Sequence, residues 1–385
     1  MENRILLQKL KDIFLKYSYD NAPGLLVGNG GIVLFLAHYY KYVEQDKMIF
    51  ERIEFLLENS LSYFFKYKID DNISIGTSGL IWLINHLISL EILESDSLEI
   101  AELLSDKLFA TASKDIDDLK IDFISGFTGK FEALKILNKT EELQILKNQI
   151  NNLCRDFYFS NFSILIEKNK FIDLGFAHGL PNFILFIAAN NINNQIIDKY
   201  FDLILKTYNA KSIFNSNIPI RILNPTQNDV EFSNRFGWCY GDLGIIYSMV
   251  RLLKLNNYKK ALSIFDFLKR NVNNINLESS GVNYFNSINC FDIGFCHGLS
   301  GIYHLLKEVN LIMKSQVVEN LSYWENLLVD NIGKMINVVE LSGSASYQNQ
   351  DILGLLNGLS GAGLVLLTKS SKDSSWDNIF TIPSI

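Results

Sequence analysis

The stretch VGNGGIVLFL, residues 27–36, sets two glycines three positions apart, Gly28 and Gly31, directly ahead of an unbroken apolar run. The same arrangement returns as IGTSGLIWLI at 75–84, SGFTGKFEAL at 125–134 and HGLPNFILFI at 178–187, where Asn182 stands in place of the second glycine. It recurs as YGDLGIIYSM at 240–249, HGLSGIYHLL at 297–306 and NGLSGAGLVL at 357–366. The first glycines are separated by 48, 50, 53, 62, 57 and 60 residues. One Gly-x-x-Gly carries little information, but seven in register mark a repeat architecture. Each period is long enough for two ordinary helices and their loops.

The helix after each motif is apolar on nearly all sides, as from Gly31 to Ala37, which suits burial on every face. Its partner is amphipathic. Ile49, Ile53, Leu56 and Ser60 form one stripe, while Glu51, Arg52, Glu54 and Glu58 lie mostly elsewhere. Each repeat therefore supplies one inner and one outer helix. Seven pairs closing on themselves give an all-α fold, an (α/α) toroid of seven inner and seven outer helices. An open solenoid would expose one face of helices that are apolar all round. The glycines suit a tight turn into the inner helix, where backbones crowd and positive φ is easily adopted. Strand signals are sparse, and no Pro/Gly/Ser-rich linker divides the chain. Residues 1–385 read as a single domain, with the tail Trp376–Ile385 folded back on the ring.

Composition narrows the function. Hydrophobic residues make up 48% of the 385 and charged residues 20%, enough apolar material for a large core rather than a disordered chain. The net charge of -7, with no block of Lys or Arg, excludes a nucleic-acid-binding surface. Four cysteines, Cys154, Cys239, Cys290 and Cys296, are too few for a disulfide scaffold. Lys9, Lys11, Asp12 and Lys16 interrupt any signal-peptide core, while Ile5, Leu6, Leu10, Ile13, Phe14 and Tyr17 recur at helical spacing. No apolar run approaches the roughly 20 residues that span a bilayer. A soluble, cytoplasmic setting is expected.

Three repeats carry unusual residues beside the glycine pair: Gly175-Phe176-Ala177-His178-Gly179, Trp238-Cys239-Tyr240-Gly241 and Gly294-Phe295-Cys296-His297-Gly298. If the repeats superpose, all three face one mouth of the ring, and the loops before the last two are long ones, where sites tend to be built. Cys239, Cys296 and His297 form a soft Cys2His set suited to Zn2+, with one tetrahedral position left open. A Cys239–Cys296 disulfide and two unrelated buried thiols remain open readings of the same residues. Cys154 and Cys290 read as small buried hydrophobes, and His38, His86 and His304 as packed histidines.

The trio GFAHG, WCYGDLG and CHGLSG on a seven-fold glycine repeat resembles the lanthionine synthetase C-like family, the lantibiotic cyclases, over essentially the whole chain. The length resembles that of a free-standing cyclase. The resemblance implies Michael-type addition of peptide Cys thiols to dehydroalanine or dehydrobutyrine, closing thioether rings. It implies Cys239, Cys296 and His297 as ligands of one Zn2+ per chain, and His178 as the acid/base of the AHG motif. Asp122 matches an acidic site residue, and Arg235 and Tyr240 fall on implicated positions. Asp122 is equally placed to cap the helix that follows, and Arg235 to be a solvated loop residue. The chain departs from the family at Pro181-Asn182, where a glycine-rich turn is usual. The implied partners are a dehydrated precursor peptide as substrate, with a dehydratase and an ABC exporter in a modification complex that could reach the membrane. A glycoside hydrolase on a similar barrel would want paired carboxylates at the rim, which are few. A zinc-bearing thiol- or glutathione-binding adaptor is the alternative within the family.

Overall fold

Each glycine motif begins a helix that is buried along most of its length. In the computed structural model these inner helices are Asn29–Tyr42, Thr77–Ser89, Phe127–Ile136, Leu180–Ala189, Asp242–Asn256, Leu299–Met313 and Leu359–Ser371. The structure describes residues 2–380 except 21, 68, 209–215, 225–228, 257–261, 263–264, 266–268, 270–271, 315–316, 343–345 and 348–349. In the first inner helix every residue from Asn29 to Tyr39 is buried. The seventh inner helix packs against the first, so the ring closes. The fold is the expected all-α toroid, and the open solenoid is not adopted.

The outer layer is Glu2–Lys16, Lys47–Lys66, Thr140–Ser160, Gln195–Thr207 and Leu321–Ser342, with a broken pair, Ser97–Leu103 and Leu108–Asp117, in the second repeat. Lys47–Lys66 buries Ile49, Ile53, Leu56, Leu57, Ser60 and Phe64, the stripe that periodicity marks. The outer helix expected between the fifth and sixth inner helices falls largely outside the described residues.

Crowding explains the glycines better than φ does. A Cβ on Gly179 would lie 2.2 Å from the Asp173 carbonyl oxygen, and one on Gly241 2.0 Å from that of Arg235. In both cases the obstructing carbonyl lies six residues upstream. Gly241 also has φ +109, but Gly179 has φ -125, which any residue adopts. Where Asn182 replaces a glycine, its side chain is buried and both amide atoms lack a hydrogen-bond partner. Pro181 sits in the first turn of that helix, where a missing N–H costs nothing.

Backbone hydrogen bonds stitch the turns before the inner helices into a belt. Leu26 N donates to Ser74 O, Ile73 N to Ile124 O and Phe123 N to Ala177 O. Trp238 N and Cys239 N both donate to Cys296 O, Phe295 N and Cys296 N to Leu356 O, and Leu356 N to Leu26 O. Six of the seven neighbouring pairs are joined in this way among the described residues. The fourth and fifth are not.

Short strands, which the sequence does not signal, brace the same rim. Ile172–Asp173, Arg221–Asn224 and Asp229–Glu231 form a three-stranded antiparallel sheet. Tyr284–Phe285 pairs with Cys290–Phe291, and Ser346–Tyr347 with Gln350–Asp351. Two-residue strands are too short to show alternation. The insert carrying Arg221 is pinned by Asp242, whose buried carboxylate accepts from Asn217 N and Ile218 N. At the other end of the chain, Trp376 is buried with its Nε1 donating to Thr368 Oγ1 at 2.8 Å. The Phe380 ring stacks on Phe295 at 3.9 Å, and the Phe380 carbonyl accepts from Trp238 Nε1. The expected return of the tail onto the ring thus holds as far as Phe380, and residues 381–385 lie outside the described residues. Among the described residues no helix is long and apolar enough to cross a membrane.

Candidate functional site

The fifth and sixth turns meet at two cysteines. Because Trp238 and Cys239 share the Cys296 carbonyl as acceptor, the two thiols are held on facing backbones. Gly237 permits the approach, since a Cβ there would lie 2.9 Å from the Cα of His297. One ligand atom each from Cys239, Cys296 and His297 lies within 4.8 Å of the others. Both thiols are free, so the disulfide reading is not adopted. His297 Nε2 lies 3.3 Å from Asp292 Oδ2, while its Nδ1 is buried without a hydrogen-bond partner. Two thiols and an imidazole at this spacing fit a soft divalent metal, and a carboxylate on one ring nitrogen is the usual way such a ligand is oriented.

Charge within the trio is unevenly shared. The contact between the two thiols pushes Cys239 well below the usual thiol range and Cys296 well above it. Burial opposes the first shift and adds to the second, and His297 and Arg235 help to hold Cys239 down. The contact with Cys239 also raises His297, against burial and with help from Asp292.

His178 occupies the position of His297 two repeats earlier. Its Nδ1 lies 3.9 Å from Asp122 Oδ1, an ion pair too long for a hydrogen bond. Burial pulls the His178 imidazole down, but Asp122, and then Asp173 and Cys239, outweigh it and leave it above its ordinary value. Burial likewise pushes Asp122 up, and His178 and Ser125 outweigh that, leaving it below the usual carboxylate range. Asp122 accepts from both Ser125 N and Ser125 Oγ. The helix that follows has no side-chain cap, so Asp122 fixes the turn before it rather than capping it.

Tyr240 lies over the same turn. Its ring centroid is 6.1 Å from that of His178, and its hydroxyl donates to Asp173 Oδ2 at 3.1 Å. Gly175 makes room, because a Cβ there would sit 2.4 Å from the Tyr240 ring. Burial, and then Asp173, raise the Tyr240 phenol and keep it protonated. Arg235 is exposed, and its charge acts on Cys239, Cys296, His297 and Asp292. Next to Cys239 and Cys296, a cavity of about 350 Å³ is lined in part by Asn283, Phe285, Asp292, His297, Met335 and Asp351.

A family model for lanthionine synthetase C-like protein matches residues 9–381. The chain belongs to that family. Among solved structures it is similar to a nisin cyclase, with a TM-score of 0.70 and 17% identity over 98% of this chain and 96% of that one. At that identity the likeness shows the fold of a lanthionine synthetase C-like cyclase. The search of curated proteins gave no significant match.

Two residues of this family member's rim escape a motif-by-motif reading, Asp173 and Asp292. The signal was in the sequence. Asp173-Leu174-Gly175-Phe176-Ala177-His178-Gly179 and Asp292-Ile293-Gly294-Phe295-Cys296-His297-Gly298 share Asp-x-Gly-Phe-x-His-Gly. The remaining histidines and cysteines pack as expected. His38 and His86 are buried with their Nε2 atoms 2.8 Å apart, and burial raises the Cys154 and Cys290 thiols to about 12. His304 is buried too, but Glu308 and Asp377 join it in a second group with metal-ligating atoms, its Nε2 lying 2.9 Å from Asp377 Oδ2.

Proposed function

We propose that this protein is a zinc-dependent lanthipeptide (lantibiotic) cyclase, adding Cys thiols of a dehydrated precursor peptide to dehydroalanine or dehydrobutyrine to form lanthionine and methyllanthionine rings. One observation carries the reading: two thiols and an imidazole, one ligand atom from each, converge within 4.8 Å on the rim. A second imidazole shares that rim.

Cys239, Cys296 and His297 would hold the metal, leaving a fourth position for a peptide sulfur. A free thiol has a pKa near about 8.5 and is mostly protonated at neutral pH. Zinc in this site would deprotonate it and, with two cysteine ligands, keep it electron-rich.

The residues of the chain serve the other half of the addition. Attack of the thiolate sulfur on the β-carbon forms the C–S bond and moves the π pair toward the carbonyl, so the α-carbon must then gain one proton. His178 supplies it. Asp122 favours the protonated imidazole, and such a general acid contributes about 10²–10⁴ in rate. Arg235 carries its positive charge to the same rim and faces the developing oxyanion, a contact whose loss costs about 10²–10³. Tyr240 directs its proton to Asp173, which leaves delivery to His178 and gives the tyrosine a shaping role.

The reading carries with it a cytoplasmic setting and a dehydratase and an exporter as companions in a complex. A thiol-binding adaptor would need Cys239, Cys296 and His297 but not an imidazole whose protonated form Asp122 favours. Incubating the zinc-loaded protein with a synthetic dehydrated peptide that carries cysteine, and counting alkylatable thiols by mass spectrometry, separates the two. Thiols should disappear with the protein present. Loss at the same rate without it would defeat the cyclase reading.

A further inference from the structure

The belt around the rim is open at one place, between the turn that carries His178 and the turn that carries Cys239. These are the turns that bear the proton donor and one of the sulfur ligands. At this seam Leu174 N is taken by Ile220 O of the insert at 2.8 Å, so the fourth turn makes its backbone bond to the small sheet instead of to the fifth turn.

Asp173 bridges the opening with its side chain. Its Oδ1 accepts from Gly175 N at 2.7 Å, within the fourth turn. Its Oδ2 accepts from the Tyr240 hydroxyl at 3.1 Å, in the fifth. The Tyr240 ring then lies against Gly175, where no larger residue fits.

Comparison inside the chain shows how particular this use is. Asp292 holds the equivalent place in the sixth repeat, and its Oδ1 makes the equivalent bond, accepting from Gly294 N at 2.8 Å. Its Oδ2, however, turns to the histidine of its own motif, His297. In the fourth repeat the same oxygen reaches across to the next turn. His178 is thereby left to pair with Asp122 of the third repeat.

We propose that Asp173 is a positioning residue: through the Tyr240 hydroxyl it sets the distance and register between His178 and Cys239, and so decides where the proton meets the α-carbon. Resting on the cyclase reading, this assigns to a side-chain link the task that backbone hydrogen bonds perform around the rest of the ring. Small displacements matter here, because a misplacement of about 1 Å can cost about 10² in rate.

The test uses full-length protein in four forms: wild type, Asp173→Asn, Tyr240→Phe and the double variant. Zinc content, kcat and KM are measured on a dehydrated Cys peptide. The ratio of diastereomers at the newly protonated α-carbon is read as well, since a purely structural defect would not move it. Each single substitution should lower kcat by up to about 10²-fold with zinc content and KM unchanged. Each should also erode the diastereomer ratio, and the double variant should be no worse than the worse single. Tyr240→Phe keeps the ring, so it reports even if Asp173→Asn fails to fold. Wild-type kcat and diastereomer ratio in Tyr240→Phe, or independent multiplying losses in the double variant, would overturn the assignment alone. A wild-type protein that closes no ring would overturn the cyclase reading and this assignment together.

Discussion

Proton supply at the rim comes down to single charges. Asp122 holds His178 above its ordinary value, and the proposed cyclase uses the protonated imidazole. Turnover should therefore fall as pH rises through that elevated value. Asp122→Asn removes the charge that favours the imidazolium, so in a kcat–pH profile the fall should move to lower pH. An unmoved alkaline limb would separate Asp122 from the proton donor. His178→Ala should keep its zinc and lose ring closure by about 10²–10⁴, as read by thiol alkylation. Much of this was legible: Cys239, Cys296, His297 and His178 stand out as reactive residue types at one repeated place. For Asp173 and Asp292 the shared Asp-x-Gly-Phe-x-His-Gly marks the position but not the role, because an aspartate six positions ahead of a glycine looks like any turn former until its Oδ2 partner is known. That partner lies in another repeat for Asp173 and in its own for Asp292.

Helices and turns obey the glycine spacing closely, but for a reason the spacing does not state. It suggests left-handed backbone, whereas steric approach to an upstream carbonyl is the commoner demand. Gly241 meets both, with φ +109 and a carbonyl 2.0 Å from any added Cβ. Gly241→Ala should cost at least the about 1–3 kcal/mol of a strained backbone, measured by denaturant unfolding. Gly333, inside the outer helix Leu321–Ser342, is the opposite case, since the nearest atom to an added Cβ is 3.8 Å away. Gly333→Ala should stabilise by about 0.4–1 kcal/mol, and a loss at that site would contradict the open packing. The divided outer helix of the second repeat and the two-residue strands left no trace in periodicity, since neither is long enough to build a pattern.

At the scale of the whole ring, closure follows from seven repeats whose inner helices have no solvent face. The opening in the rim belt could not be read that way, because it depends on which backbone groups pair and not on side-chain type. The tail fills a further role. Trp376 and Phe380 pack beneath Phe295 and Trp238, the residues just ahead of Cys296 and Cys239. Trp376→Ala should cost about 3–5 kcal/mol, a large share of a net stability of about 5–15 kcal/mol, and calorimetry would show it as a lowered Tm. In the proposed cyclase the ring and its tail bring Cys239, Cys296 and His297 together on the rim that also carries His178. Zinc per chain, measured together with ring closure in wild type and Cys239→Ala, tests that most directly. Wild type should bind one zinc ion and close thioether rings, and Cys239→Ala should lose both. A Cys239→Ala protein that still holds its zinc and closes rings at the wild-type rate would contradict it.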